Sequence, residues 1–161
     1  MTKPEWMIYH PNGLCTGSAL RMLLGKNHIT AEIAPRKSIS DASYPMFDWE
    51  KSVNVRLDII ELAQILKVLR GEKESVEDGK GFFHRMKNGC VAIRFVHMVE
   101  PVEGYKLDII HNPLRSSEDV AHLSFSLRTI EAFALSEVLS HAMCYIAFGC
   151  PDTFGCPDTN E

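Results

Sequence analysis

Apolar and polar positions alternate through residues 52–58. Val53, Val55 and Leu57 fall on one side and Asn54, Arg56 and Asp58 on the other, as a half-buried strand requires. The period then lengthens: Ile59, Leu62, Leu66 and Leu69 recur at helical spacing. Asp58 followed by Glu61 has the spacing of a capping box, and Gly71 is a fitting stop. Upstream, residues 16–24 and 29–34 read as extended segments joined by a tight turn at Gly25-Lys26-Asn27. Pro35 stops the second of these, and residues 38–45, rich in Ser and closed by Pro45, read as a loop.

The same plan recurs downstream. Residues 82–86 lead to an Asn88-Gly89 hairpin turn, and 90–99 alternate Val91, Ile93 and Phe95 against Ala92 and Arg94. After a turn at Pro101 and Gly104, residues 105–110 alternate again. A loop over 113–119 precedes a strand lined by Ala121, Leu123, Phe125 and Leu127. Thr129 is placed to cap a long closing helix whose broad apolar face is Ile130, Phe133, Ala134, Val138, Ala142, Tyr145 and Ile146, and Gly149 ends it. Ala132, Leu135, Leu139 and Met143 add apolar surface beyond that face, so this helix is expected to be covered on more than one side, by a partner subunit or by the chain's own core.

These elements define an α+β chain of two successive halves, each a run of antiparallel strands closed by a helix, with the charged stretch 72–81 as a surface connection. One domain over residues 1–149 is expected, followed by a flexible tail over 150–161. At the end of the chain Phe-Gly-Cys-Pro-Asp-Thr occurs twice in succession, at 148–153 and 154–159.

Composition narrows the class. With 161 residues, 45% hydrophobic and 24% charged, the chain is expected to fold as an ordinary soluble protein. It opens without an apolar leader-like run, and no stretch approaches about 18 uninterrupted apolar residues, so no membrane is expected as a partner. Five cysteines (Cys15, Cys90, Cys144, Cys150 and Cys156) are odd in number and widely spaced; reduced thiols and a cytoplasmic location are the expectation. The net charge of −4 divides unevenly, +1 over residues 1–58 and −5 over 59–161. Any phosphate-facing surface should therefore draw mainly on the first half.

Phosphate-binding GxxxxGK[ST] and GxGxxG, the GxSxG elbow and HExxH are all absent from the sequence. His97, His111 and His122 fall on three successive strands and form the best metal constellation on offer, set against an ordinary role as strand residues. Asp48 and Glu50 flank Trp49 with no clear acid–base partnership. No enzyme and no cofactor are expected. The most distinctive segment is Phe47-Asp48-Trp49-Glu50-Lys51, two aromatics and a cation just before a strand. Unpaired bases stack on rings while phosphates seek cations, so the segment suits a single-stranded nucleic acid. The alternative is a corner where Phe47 and Trp49 plug the core.

That segment, followed by a strand, the helix from Asp58, an acidic connector and Phe82-Phe83-His84, resembles the Whirly family of single-stranded DNA-binding proteins. Thr16-Gly17-Ser18-Ala19-Leu20 is similar to the family's Lys-Gly-Lys-Ala-Ala-Leu segment but lacks both lysines. The resemblance covers residues 14–149. It implies two four-stranded antiparallel sheets packed crosswise, each half closed by a helix, and four subunits assembled through the helices. It also implies single-stranded DNA binding with little sequence preference. On this reading Phe47 and Trp49 stack on bases, and Lys51, Arg56, Arg21 and Lys26 meet phosphates. Thr16 and Ser18 hydrogen-bond phosphate oxygens, and Phe82, Phe83 and Arg85 form a second cluster. RNA is the related ligand within the class. An oligomeric scaffold of the same fold without nucleic acid is the alternative function.

Overall fold

The computed structural model describes residues 4–10, 17–37, 47–114 and 119–149. Eight strands form two four-stranded antiparallel sheets with neighbouring strands in chain order. The first sheet holds β1 (Glu5–His10), β2 (Ser18–Leu24), β3 (Ile29–Pro35) and β4 (Val53–Leu57), and is followed by α1 (Ile59–Leu69). The second holds β5 (Phe82–Met86), β6 (Gly89–Met98), β7 (Gly104–Pro113) and β8 (Ala121–Leu127), and is followed by α2 (Thr129–Phe148). β8 packs across β2, β3 and β4, and β4 meets both β7 and β8, so strands of the two sheets cross rather than align. Leu20, Ile33, Leu57, Ile93, Phe95, Ile109 and Phe125 fill the space between them, each at most 2% exposed.

The alternation read in residues 52–58 is realised in β4, where Val53, Val55 and Leu57 are buried and Asn54 and Arg56 exposed. Asp58 accepts from the backbone of Ile60 and Glu61, both at 2.9 Å, while Glu61 accepts in return from the Asp58 N–H at 3.0 Å. At the other end of α1, Gly71 takes φ +72°. It donates to Val68 and Glu72 donates to Lys67, a Schellman closure of the helix.

Three features depart from expectation. The first sheet has a strand, β1, that the alternation does not announce, because Met7 and Tyr9 on its outer side are as apolar as Trp6 and Ile8 on its inner side. The N-cap of α2 is Arg128, not Thr129. An arginine has no acceptor to offer, so the closing bonds run from the Arg128 N–H to Glu131 Oε2 at 2.8 Å and from its guanidinium to Oε1 at 2.7 Å. The buried stripe of α2 is Ala132, Leu135, Ser136, Leu139 and Ala142, whereas Ile130 and Phe133 are 67% and 64% exposed. Both stripes are apolar, so periodicity finds them without telling which packs inward. By length and composition α2, 20 residues long, could cross a bilayer; here its Leu135–Leu139 stripe belongs to the core.

Glu131 also accepts from His10 Nε2 at 2.8 Å, tying β1 to α2. Burial alone would raise its carboxyl, but the hydrogen bonds from Arg128 and His10 outweigh that and hold it at about 2, against an ordinary 4.5. A depressed carboxyl stabilises the fold fully above its unfolded value and ceases to do so as pH falls through its folded one. Urea midpoints should therefore decline as pH drops from 4.5 to 2, and less steeply in Glu131→Gln. Equal slopes for the two proteins would remove this linkage.

Candidate nucleic-acid interface

The ladder registers order the outward side chains of each sheet into rows. On the first sheet these are Tyr9–Ala19–Ala34, Met7–Arg21–Glu32–Asn54 and Glu5–Leu23–Thr30–Arg56. Residues 47–51 run over this face. Asp48 N–H bonds the Pro35 carbonyl at 2.7 Å, and a 3-10 turn follows over Trp49–Lys51. Phe47 seals Ala19 and Ala34 and is itself 9% exposed, with Tyr9 at 5.4 Å between ring centroids. Trp49 is half-buried against the same cluster, and the Arg21 guanidinium lies 4.2 Å from its ring centroid.

Arg21 is spoken for electrostatically as well. Its Nε donates to Glu32 at 3.0 Å, and Glu32, buried, also accepts from the Ser52 hydroxyl. An arginine stacked on tryptophan and paired with a buried carboxylate fixes Trp49 before any ligand arrives. Lys51 stands 78% exposed, 3.8 Å from Asp48. Arg56 and Lys26 are exposed with no ion-pair partner among the described residues, Arg56 on this face and Lys26 at the β2–β3 turn. Ser18 points the other way, its hydroxyl donating to the Ser124 carbonyl at 3.3 Å between the sheets. Thr16 lies outside the described residues.

The outer face of the second sheet is more open. Its rows are Arg85–Cys90–Asn112, Phe83–Ala92–Ile110–His122 and Arg94–Asp108–Ser124, with Lys106 and Ser126 beyond. Phe83 is 66% exposed, whereas Phe82, one residue earlier on the alternating strand, is buried in the core. Arg85 and Arg94 are exposed and have no ion-pair partner among the described residues. Asp108 is the acid of this face. Burial would raise its carboxyl, yet hydrogen bonds from Ser124, His122 and Lys106 outweigh burial and hold it below the usual range. A ring flanked by unpaired guanidinium groups on adjacent strands is a stacking platform with phosphate-seeking borders.

The charge expectation is thereby revised. Of the −5 after residue 58, −2 falls in the connector over residues 72–81 and −3 in residues 150–161, so residues 82–149, which hold the second sheet, carry only −1. Sequence reading places Arg94 on the polar side of its strand without assigning it a role; its register beside Phe83's row is the missing information. The three histidines do not converge. His97 pairs with Tyr105 and His111 with Val91, far apart along β6 and β7, and His122 faces the opposite side. Among the described residues no group of three or more His, Cys, Asp or Glu is placed to hold a metal ion.

No family model matches the sequence, and no curated protein is similar to it. Solved structures are similar to it in fold. WHY3 of Arabidopsis thaliana superposes with a TM-score of 0.71 at 12% identity, covering 92% of this chain and 91% of that one. WHY1 of the same plant gives 0.68 at 14% identity, covering 100% and 97%. A guide-RNA-binding protein complex bound to its guide RNA gives 0.66 at 16% identity, covering 91% and 93%. The fold is Whirly-like: two four-stranded antiparallel sheets with two helices, as the residue pattern and the resemblance together imply.

Proposed function

We propose that this chain is a non-enzymatic, cytoplasmic protein that binds single-stranded nucleic acid, DNA foremost, with little sequence preference. The observation that carries the reading is the outer face of the second sheet, where exposed Phe83 lies among Arg85 and Arg94, neither of them ion-paired among the described residues. The first sheet adds Trp49, Tyr9, Lys51 and Arg56. The solved guide-RNA complex of the same fold keeps RNA within the class. Fluorescence anisotropy of a labelled oligo-dT, the matching oligo-U and the annealed duplex is the test. Single strands should bind at least about tenfold tighter than duplex, with affinity falling steeply as salt rises. Equal binding of duplex, or none at low salt, would reject the reading and leave an oligomeric scaffold.

Assembly as a homotetramer is proposed from α2, whose exposed stripe presents Ile130, Phe133 and Phe148, the last 90% exposed. An apolar stripe of this kind is what a second copy covers. Phe133→Asp should lower the mass seen by light scattering from the tetramer to a smaller species while leaving circular dichroism unchanged. An unaltered mass would move the interface elsewhere.

A further inference from the structure

Between the end of β1 and the β6–β7 hairpin lies a groove of about 530 Å³ that no sequence motif foreshadows. Its size falls within the range of small-molecule sites. Tyr9, His10 and Tyr105 supply aromatic walls, and Met98 and Val102 supply apolar surface.

The rings are held in place. His10 stacks on Phe125 with centroids 4.5 Å apart, Tyr105 lies between Phe95 at 6.0 Å and His97 at 4.8 Å, and Tyr9 rests against Phe47 while remaining 47% exposed. Charge is arranged along the groove rather than spread over it. Glu131 accepts from both His10 and Arg128, which keeps the Arg128 guanidinium at the His10 wall with its side chain 75% exposed. Glu103, 65% exposed on the hairpin and 3.5 Å from His97 Nε2, places a carboxylate on the opposite bank.

A groove with planar apolar walls, a guanidinium on one bank and a carboxylate on the other suits a flat ligand with an anion at one end and a hydrogen-bond donor at the other. The geometry points to a mononucleotide site: an amino-bearing base lies against Tyr9 and Tyr105 with its exocyclic amine toward Glu103, and its phosphate meets Arg128. The site shares Tyr9 with the first-sheet contacts of the strand-binding reading but takes its charged groups from Arg128 and Glu103, which that reading does not use.

Titration calorimetry of the full chain with adenosine 5′-monophosphate, uridine 5′-monophosphate and ribose 5-phosphate tests it. Saturable binding of the adenine nucleotide is expected. Ribose 5-phosphate should bind at least about tenfold more weakly for want of a stacking base, and the uridine nucleotide should also be weaker for want of the amine. Tyr9→Ala and Arg128→Gln should each weaken the adenine nucleotide by about tenfold, Tyr9→Phe should restore it, and Lys87→Ala, exposed between β5 and β6, should leave it unchanged. Arg128→Gln keeps the backbone N–H that Glu131 caps, and folding of each variant is checked by circular dichroism. Absent binding, equal binding of ribose 5-phosphate, or indifference to both Tyr9→Ala and Arg128→Gln would overturn the site. None of these results alters the oligonucleotide test above, so the two readings fail separately.

Discussion

Phe125→Ala should destabilise the fold by about 3–5 kcal/mol, a large part of the roughly 5–15 kcal/mol that holds an ordinary domain together. Phe125 is fully buried at the middle of β8, the strand that lies across β2, β3 and β4, and its ring is stacked by His10. Truncation therefore opens a void where the two sheets meet. The surrounding backbone is pinned by β7 along one edge and by the Ser18 hydroxyl on the Ser124 carbonyl, so it has little freedom to collapse into the gap. Urea unfolding followed by circular dichroism measures the loss. A cost below about 1 kcal/mol would mean that the sheets do not close on this ring.

The position of Phe125 is legible in the sequence, and the reason has limits. Wherever one face of an element is apolar and the other polar, period and burial agree: β4, α1 with its Asp58–Glu61 box, and the Ala121-to-Leu127 strand all follow the pattern. The pattern falls silent where both faces are apolar. β1 escapes it for that reason, and on α2 it assigns the inward side to the stripe that is in fact exposed at Ile130 and Phe133.

The candidate site shows a different kind of loss. A residue type and its neighbours in sequence do not reveal who neutralises a charge across a sheet. Arg21 looks available in the sequence, yet its register opposite Glu32 gives it a buried partner and a tryptophan to cover. Phe47 and Trp49 admit two readings, a stacking pair or a core plug. The buried Phe47 ring matches the plug, while Trp49 keeps part of its surface. Tyr9, Arg128 and Glu103 line one groove only because the end of β1, the start of α2 and the β6–β7 hairpin come to lie side by side, a juxtaposition of distant parts of the chain that no local motif records.

Those registers also single out where nucleic-acid binding is most sensitive to charge. Arg85→Glu combined with Arg94→Glu should lower the affinity for a single strand by about a hundredfold at low salt and make log K less steep in log salt by about 1.4, the slope expected for two phosphate contacts. Both guanidinium groups are exposed and without ion-pair partners among the described residues, so reversing them breaks no ion pair, and the like-charge pairing that Arg94→Glu makes with Asp108 should cost the fold no more than about 1 kcal/mol. Arg94 lies opposite Asp108, whose carboxyl already holds Ser124, His122 and Lys106, so a carboxylate in place of the Arg94 guanidinium would add to the negative charge there and sharpen the loss. Lys26→Glu at the β2–β3 turn is the control of equal charge sign. It should cost far less, because a lone cation at a hairpin tip borders no exposed ring. Anisotropy at two salt concentrations compares the two losses and so separates a contact surface from a general field effect. If the double reversal binds as tightly as the parent chain, the strand lies on the first sheet instead, along Trp49, Lys51 and Arg56.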